Sequence, residues 1–122
     1  MADIVVIDDD PLIRETIDMV LSSAGHRVRL ADSGVNGLLS VLHQKPDLIL
    51  LDMNLPGMDG YTLAKEFSNA SKYRGVPILA VTAHDSAEDY DAAYAAGCTG
   101  FLAKPLDQAR LLHAVDEQLK RK

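Results

Sequence analysis

The chain has one cysteine, Cys98, so it cannot form an internal disulfide, and its N-terminus lacks the basic-then-apolar layout of a secretory signal. No apolar run approaches the roughly 18 residues of a membrane span, which argues against both a membrane protein and a membrane partner. Basic residues are scarce. Lys and Arg number 12 against 18 acids, for a formal charge of −6, and the only dense basic stretch is Lys120-Arg121-Lys122. Direct nucleic-acid binding is therefore not expected. No internal repeat, linker or low-complexity tract divides the 122 residues, a length that fits one domain with one core spanning 1–122. These absences leave a cytoplasmic, single-domain protein.

What is present is an alternation, repeated five times, of short apolar runs with longer segments of helical period. It predicts βα units and a parallel sheet covered on both faces. Ile4 to Ile7 is the first strand. Pro11 fits a first helical position, and Ile13, Ile17, Val20, Leu21 and Ala24 form a stripe that stops at Gly25. Arg27 to Ala31 alternates weakly, as an edge strand does, and Val35, Leu38, Leu39 and Leu42 mark a second helix ending before Pro46. Residues 48–51 are strand three. Asn54 to Gly60 is dense in turn formers, and Leu63, Ala64 and Phe67 suggest helix three. Pro77 opens strand four, Ile78 to Val81. Ser86 with Asp89 resembles a capping box at the start of an alanine-rich helix that ends at Gly97. Gly100 to Ala103 is a short fifth strand, and Asp107 suits the cap of a last helix whose buried face is Leu111, Leu112, Val115 and Leu119.

In open parallel sheets the ligand lies beyond the carboxyl ends of the strands, near the point where the strand order reverses. The residues at those ends are Asp8, Asp9 and Asp10 after strand one, Asp52 after strand three, Thr82 after strand four and Lys104 after strand five. Carboxylates crowded at the ends of buried strands repel one another, and a divalent cation is the simplest compensation. Their oxygens are hard ligands suited to Mg²⁺ or Mn²⁺. A lysine and a hydroxyl facing them could hold the oxygens of a phosphoryl group, and a carboxylate can be the nucleophile that accepts it.

Four pieces in order resemble the receiver domain of two-component response regulators: Asp8-Asp9, the segment Leu51-Asp52-Met53-Asn54-Leu55-Pro56-Gly57-Met58-Asp59-Gly60, the strand end Val81-Thr82-Ala83, and Lys104-Pro105. The resemblance covers essentially the whole chain. It implies a flavodoxin-like doubly wound (βα)5 fold of strand order 2-1-3-4-5, with a cis peptide before Pro105. It further implies that Asp52 accepts the phosphoryl group, that Asp9 and Asp52 bind Mg²⁺ through carboxylates, Asn54 through its backbone carbonyl, and Asp8 through water. Thr82 and Lys104 would contact phosphoryl oxygens, with Thr82 and Phe101 as the switch pair, while Asn54 and His84 flank the path of hydrolytic water and tune phosphoryl lifetime. The implied partners are a histidine kinase or histidine phosphotransfer protein, and a downstream protein on the face made by helix four, strand five and helix five. Transcription-factor receivers commonly carry Ala-Asp-Asp before the switch aromatic. Here Cys98-Thr99-Gly100 stands there, so a monomer is expected. Starting at Met1 without a linker, the chain reads as a stand-alone receiver, a phosphorylation-activated switch rather than an enzyme.

Plainer readings stand beside these. Asp10 is most simply a helix cap, and Phe101 can be core as well as switch. Tyr90 and Tyr94, four apart, are read as lining a half-buried face in preference to a partner surface. His26, His43 and His113 look like surface or boundary histidines. A rival is a small aspartate-dependent phosphatase, because Asp8-x-Asp10 also resembles the D-x-D of haloacid dehalogenases, with Thr82 and Lys104 as later motifs. That family follows its second Asp with Gly and Thr or Val, whereas Pro11 follows here. A nucleotide-binding flavodoxin-like module would need a glycine-rich loop after strand one, where this chain has three carboxylates.

Overall fold

A computed structural model describes residues 2–57, 59–70, 73, 75–84 and 86–120; Met58 of the turn segment and the terminal Arg121 and Lys122 lie outside the described residues. Strands β1 (Asp3–Ile7), β2 (Arg27–Ala31), β3 (Leu48–Asp52), β4 (Ile78–Thr82) and β5 (Gly100–Ala103) alternate with helices α1 (Pro11–Ser23), α2 (Gly34–His43), α3 (Gly60–Asn69), α4 (Ala87–Ala95) and α5 (Gln108–Lys120). All neighbouring strands pair in parallel, in the order β2-β1-β3-β4-β5. The fold is the doubly wound α/β architecture expected.

The uninterrupted apolar runs of β1, β3 and β4 follow from burial on both faces. Because successive strand side chains point to opposite faces, each strand feeds two cores. Val5, Ile7, Ile49, Leu51 and Ala80 pack with Val41, Leu63, Phe67 and Ala93 from α2, α3 and α4. Ile4, Val6, Leu50, Leu79 and Val81 pack with Ile17, Leu21, Leu111 and Val115 from α1 and α5. The polypeptide crosses from one side of β1 to the other between β2 and β3, so the strand order reverses at β1, next to β3.

The helix boundaries follow local chemistry. Asp10 caps α1 by accepting the Leu12 N–H at 3.0 Å, as expected. Ser86 and Asp89 form a reciprocal capping box at α4. Asp107 accepts from Ala109 N–H at 3.4 Å at the start of α5. The Lys104-Pro105 peptide is cis.

Two elements differ from the sequence pattern. In α2 the apolar residues that mark the helix mostly face outward: Val35, Leu39 and Leu42 are exposed, while Gly34, Gly37 and Val41 are buried. The cause is close packing on the sheet, because a Cβ at Gly37 would collide with the Ile7 side chain. The helix therefore turns its smallest face inward. In α5 a polar residue joins the buried face. Gln118 accepts the Thr99 O–H at 2.5 Å and donates to the Thr99 carbonyl at 3.2 Å, which satisfies the amide inside the core.

At the end of the sheet away from the acidic cluster, Arg29 of β2 makes a bidentate pair with Asp3, both bonds 3.0 Å. It also donates to the Ser40 carbonyl at 2.7 Å and the Gln44 carbonyl at 2.9 Å, where its charge complements the C-terminus of α2. One side chain thus ties the edge strand to β1 and to α2. Arg29→Ala is expected to cost about 3 kcal/mol, since it leaves a largely buried carboxylate unpaired. Urea denaturation would measure this, and a loss below about 1 kcal/mol, the range of a solvent-exposed ion pair, would refute it.

Candidate functional site

The acidic residues stand at the carboxyl ends of β1 and β3, beside the point where the strand order reverses. Asp8 is fixed from three sides. Its N–H donates to the Ala31 carbonyl at 3.1 Å, its own carbonyl accepts from Arg14 Nη1 at 2.8 Å, and its Oδ1 accepts the Asp10 N–H at 2.9 Å. That leaves Oδ2, which lies 3.1 Å from Lys104 Nζ but makes no aligned hydrogen bond although Asp8 is buried. Asp9, next in the chain, is exposed. Carboxylate oxygens from Asp8, Asp9 and Asp52 lie within 4.8 Å of one another.

Asp52 ends β3 and is 4 % exposed. Its Oδ1 accepts the Asn54 N–H at 3.0 Å, and its Oδ2 lies 3.6 Å from Lys104 Nζ. Removal from water pushes its pKa up, and repulsion from Asp8 and Asp9 adds to this, against the opposing pull of the Asn54 N–H and the Lys104 ammonium. Thr82, buried at the end of β4, accepts from Asn54 Nδ2 at 2.9 Å and from the His84 N–H at 3.1 Å. Lys104 reaches inward from just beyond β5, its N–H bonded to the Thr82 carbonyl at 2.7 Å.

The structure therefore gathers Asp8, Asp9, Asp52, Asn54, Thr82 and Lys104 in one place. His84 borders it through its backbone, with an exposed side chain. Phe101 is set apart, half-buried on β5 and stacked on Tyr90 at 4.7 Å between ring centroids, with Tyr94 5.0 Å beyond Tyr90. The two tyrosines are 45 % and 41 % exposed, more open to solvent than the half-buried face expected of them. Asp10 is occupied in capping α1, so the D-x-D reading lacks a free second carboxylate.

A divalent cation fits this donor set. Three carboxylates converge against a single ammonium, and Asp8 Oδ2 is a buried oxygen without a hydrogen-bond donor. Two contributors had no role assigned from the sequence pattern. One is Arg14, whose spacing from Asp8 carries no motif. The other is Gly60, where a Cβ would sit 2.5 Å from Met53 Cα and 2.8 Å from the Asp52 carbonyl, so its small size lets α3 start directly against the acidic strand end.

Comparison with known proteins agrees with this geometry. The profile described as "Response regulator receiver domain" matches residues 4–116. The chain is 33 % identical over 121 residues to the DNA-binding dual master transcriptional regulator RpaA of Synechocystis sp., covering 99 % of this chain and 50 % of that protein. It spans about half the length of that relative. Among solved structures, chemotaxis protein CheY4 of Vibrio cholerae superposes with a TM-score of 0.92 at 32 % identity, covering 97 % of this chain and 98 % of the other. The receiver domain of sensor histidine kinase PA1611 from Pseudomonas aeruginosa superposes with a TM-score of 0.89 at 33 % identity and 98 % coverage of both, and its structure has a magnesium ion coordinated in the active-site cleft. No helix among the described residues is long and apolar enough to cross a membrane.

The raised pKa of Asp52 has a consequence for stability. A carboxyl with a higher pKa in the folded than in the unfolded state binds more protons when folded. Its contribution is therefore complete below the unfolded value near 3.9 and is lost as pH rises through the folded value. Asp52→Asn, which keeps the position neutral, is expected to be more stable than wild type in EDTA at pH 7, with the difference closing as pH falls below the unfolded value. Urea midpoints across this pH range would test it, and a mutant weaker than wild type at pH 7 would overturn it.

Proposed function

The chain belongs to the response regulator receiver domain family, and from that membership we propose that it takes a phosphoryl group from a phosphohistidine onto Asp52, with a histidine kinase or phosphotransfer protein as donor. The observation that carries this reading is the convergence of Asp8, Asp9 and Asp52 oxygens within 4.8 Å, with Lys104 Nζ 3.1 and 3.6 Å from two of these carboxylates. An Asp52 oxygen attacks phosphorus in line, the bond from phosphorus to the imidazole nitrogen breaks, and the imidazole leaves with the electron pair. Lys104 balances charge on the transferring oxygens. Thr82 Oγ1 already accepts two hydrogen bonds, and no described bond uses its hydrogen, which is available to a phosphoryl oxygen. A bound Mg²⁺ or Mn²⁺, held by the carboxylates of Asp9 and Asp52, the Asn54 carbonyl and, through water, Asp8, would supply charge neutralisation at the same oxygens. The magnesium ion in the PA1611 receiver supports this choice.

The same contacts suggest how the signal leaves the site. Drawing Thr82 toward a phosphoryl group loosens its bonds to Asn54 and to the His84 N–H, which opens the connection from β4 into α4. Tyr90 on α4 stacks on Phe101, so the surface formed by α4, β5 and α5 responds. A pre-existing equilibrium of that surface is thereby shifted and a downstream protein is bound or released. Without phosphorylation the protein is a monomer, because Cys98-Thr99-Gly100 stands where transcription-factor receivers carry the acidic segment that pairs them.

Incubation with Mg²⁺ and acetyl phosphate is expected to add one phosphoryl group, seen by intact-protein mass spectrometry, and Asp52→Asn to abolish it. A phosphatase acting through Asp8 would instead lose its labelling in Asp8→Asn and keep it in Asp52→Asn. Labelling that survives Asp52→Asn would overturn the proposal.

His84 and Asn54 set the lifetime of the phosphorylated state, because they border Thr82 and Asp52 where hydrolytic water approaches. His84→Ala is expected to change the dephosphorylation rate at least several-fold with little effect on folding. A rate equal to wild type would reject that role.

A further inference from the structure

Asp9 poses a problem of orientation. Asp8 is held at its N–H, its carbonyl and one carboxylate oxygen, whereas the Asp9 side chain is exposed and makes no hydrogen bond or ion pair with any described residue. What restrains Asp9 is the backbone from which it projects. The Asp8 carbonyl belongs to the planar peptide that joins Asp8 to Asp9, so a group that fixes this oxygen also fixes the plane from which Asp9 departs. Arg14 is that group, with Nη1 2.8 Å from the oxygen. Its own backbone is set in the first turns of α1, where its N–H donates to the Asp10 carbonyl at 3.0 Å. A closed ring results: from Asp8 through Asp9 and Asp10 into α1, and back to Asp8 through the guanidinium.

We propose that Arg14 is a positioning residue for cation binding, holding the Asp8-Asp9 peptide so that the Asp9 carboxylate faces Asp8 and Asp52. The inference rests on the reading of these three acids as a Mg²⁺ site. Two physical effects of Arg14 have opposite signs. As a positive charge near the site, it disfavours a cation, and its removal would tighten Mg²⁺ binding. As a tether, it pre-organises a ligand whose immobilisation would otherwise oppose binding, and its removal would weaken Mg²⁺ binding. The short bond to the carbonyl, set against an otherwise unrestrained Asp9, makes the tether the larger effect.

Titration calorimetry of the full chain with MgCl₂ separates the two, with urea denaturation in EDTA reporting the fold independently. Arg14→Ala is expected to bind Mg²⁺ several-fold more weakly than wild type despite having lost a positive charge. Arg14→Lys, which keeps a cationic donor on a flexible stem without the planar fork, is expected to fall between them. If Arg14→Ala fails to fold, partial weakening in Arg14→Lys carries the same conclusion. A merely structural role would lower stability in EDTA and leave the affinity of the folded protein unchanged or tighter. Equal or tighter binding by Arg14→Ala, or Arg14→Lys as weak as Arg14→Ala, overturns the inference while the cation site stands. A wild-type protein that binds no Mg²⁺ overturns the site itself and the inference with it.

Discussion

Like-charge repulsion among carboxylates at the ends of two adjacent buried strands is the constraint around which the molecule is arranged. β1 and β3 pair in register from Ile4 with Leu48 to Ile7 with Leu51, so the residues that follow, Asp8 and Asp52, emerge side by side. Both are nearly removed from water, where a charge is costly unless paired. Lys104 supplies one compensating charge, and backbone N–H groups of Asp10 and Asn54 each engage one carboxylate oxygen. The remaining imbalance is an excess of negative charge, which suits the site to the cation and phosphoryl group proposed for it.

Holding such a cluster requires strand ends that do not give way. The two-sided core provides this, with large apolar side chains fully buried above and below β1, β3 and β4. Close contacts then bring the covering helices to the site. Gly37 lets α2 settle onto Ile7, one residue before Asp8, and Gly60 lets α3 begin against the backbone of Asp52 and Met53. Each works by having no side chain at the point of contact. The stiffness of the core and the crowding of the acids are thus two outcomes of one packing arrangement.

Thr82 belongs to two systems of contacts, one at the site and one in the sheet. Its hydroxyl is tied to Asn54 and the His84 backbone, while its backbone pairs in register with Ala103 of β5. Two residues before Ala103, Phe101 stacks on Tyr90 of α4. The hydroxyl's own hydrogen is free to be donated to a phosphoryl group, and movement toward that group would lengthen the two bonds it accepts, which gives the switch proposed here a concrete set of contacts to exchange.

The sequence by itself determined the elements, the architecture and the membership of the acidic cluster. Uninterrupted apolar runs and stripes of period 3.6 are local properties, and strand ends in a parallel sheet bring Asp8, Asp9, Asp52, Thr82 and Lys104 to one edge wherever those strands lie. Tertiary structure alone decided which way each surface faces and which single contacts hold it. The apolar stripe of α2 points outward because glycine packing on Ile7 turned the helix, and Gln118 is buried because Thr99, just before β5, satisfies its amide. The grip of Arg14 on the Asp8 carbonyl and of Arg29 on Asp3 and the end of α2 belongs to the same class. Periodicity is written in neighbouring residues, whereas a hydrogen bond between side chain and distant backbone depends on where the rest of the chain has gone.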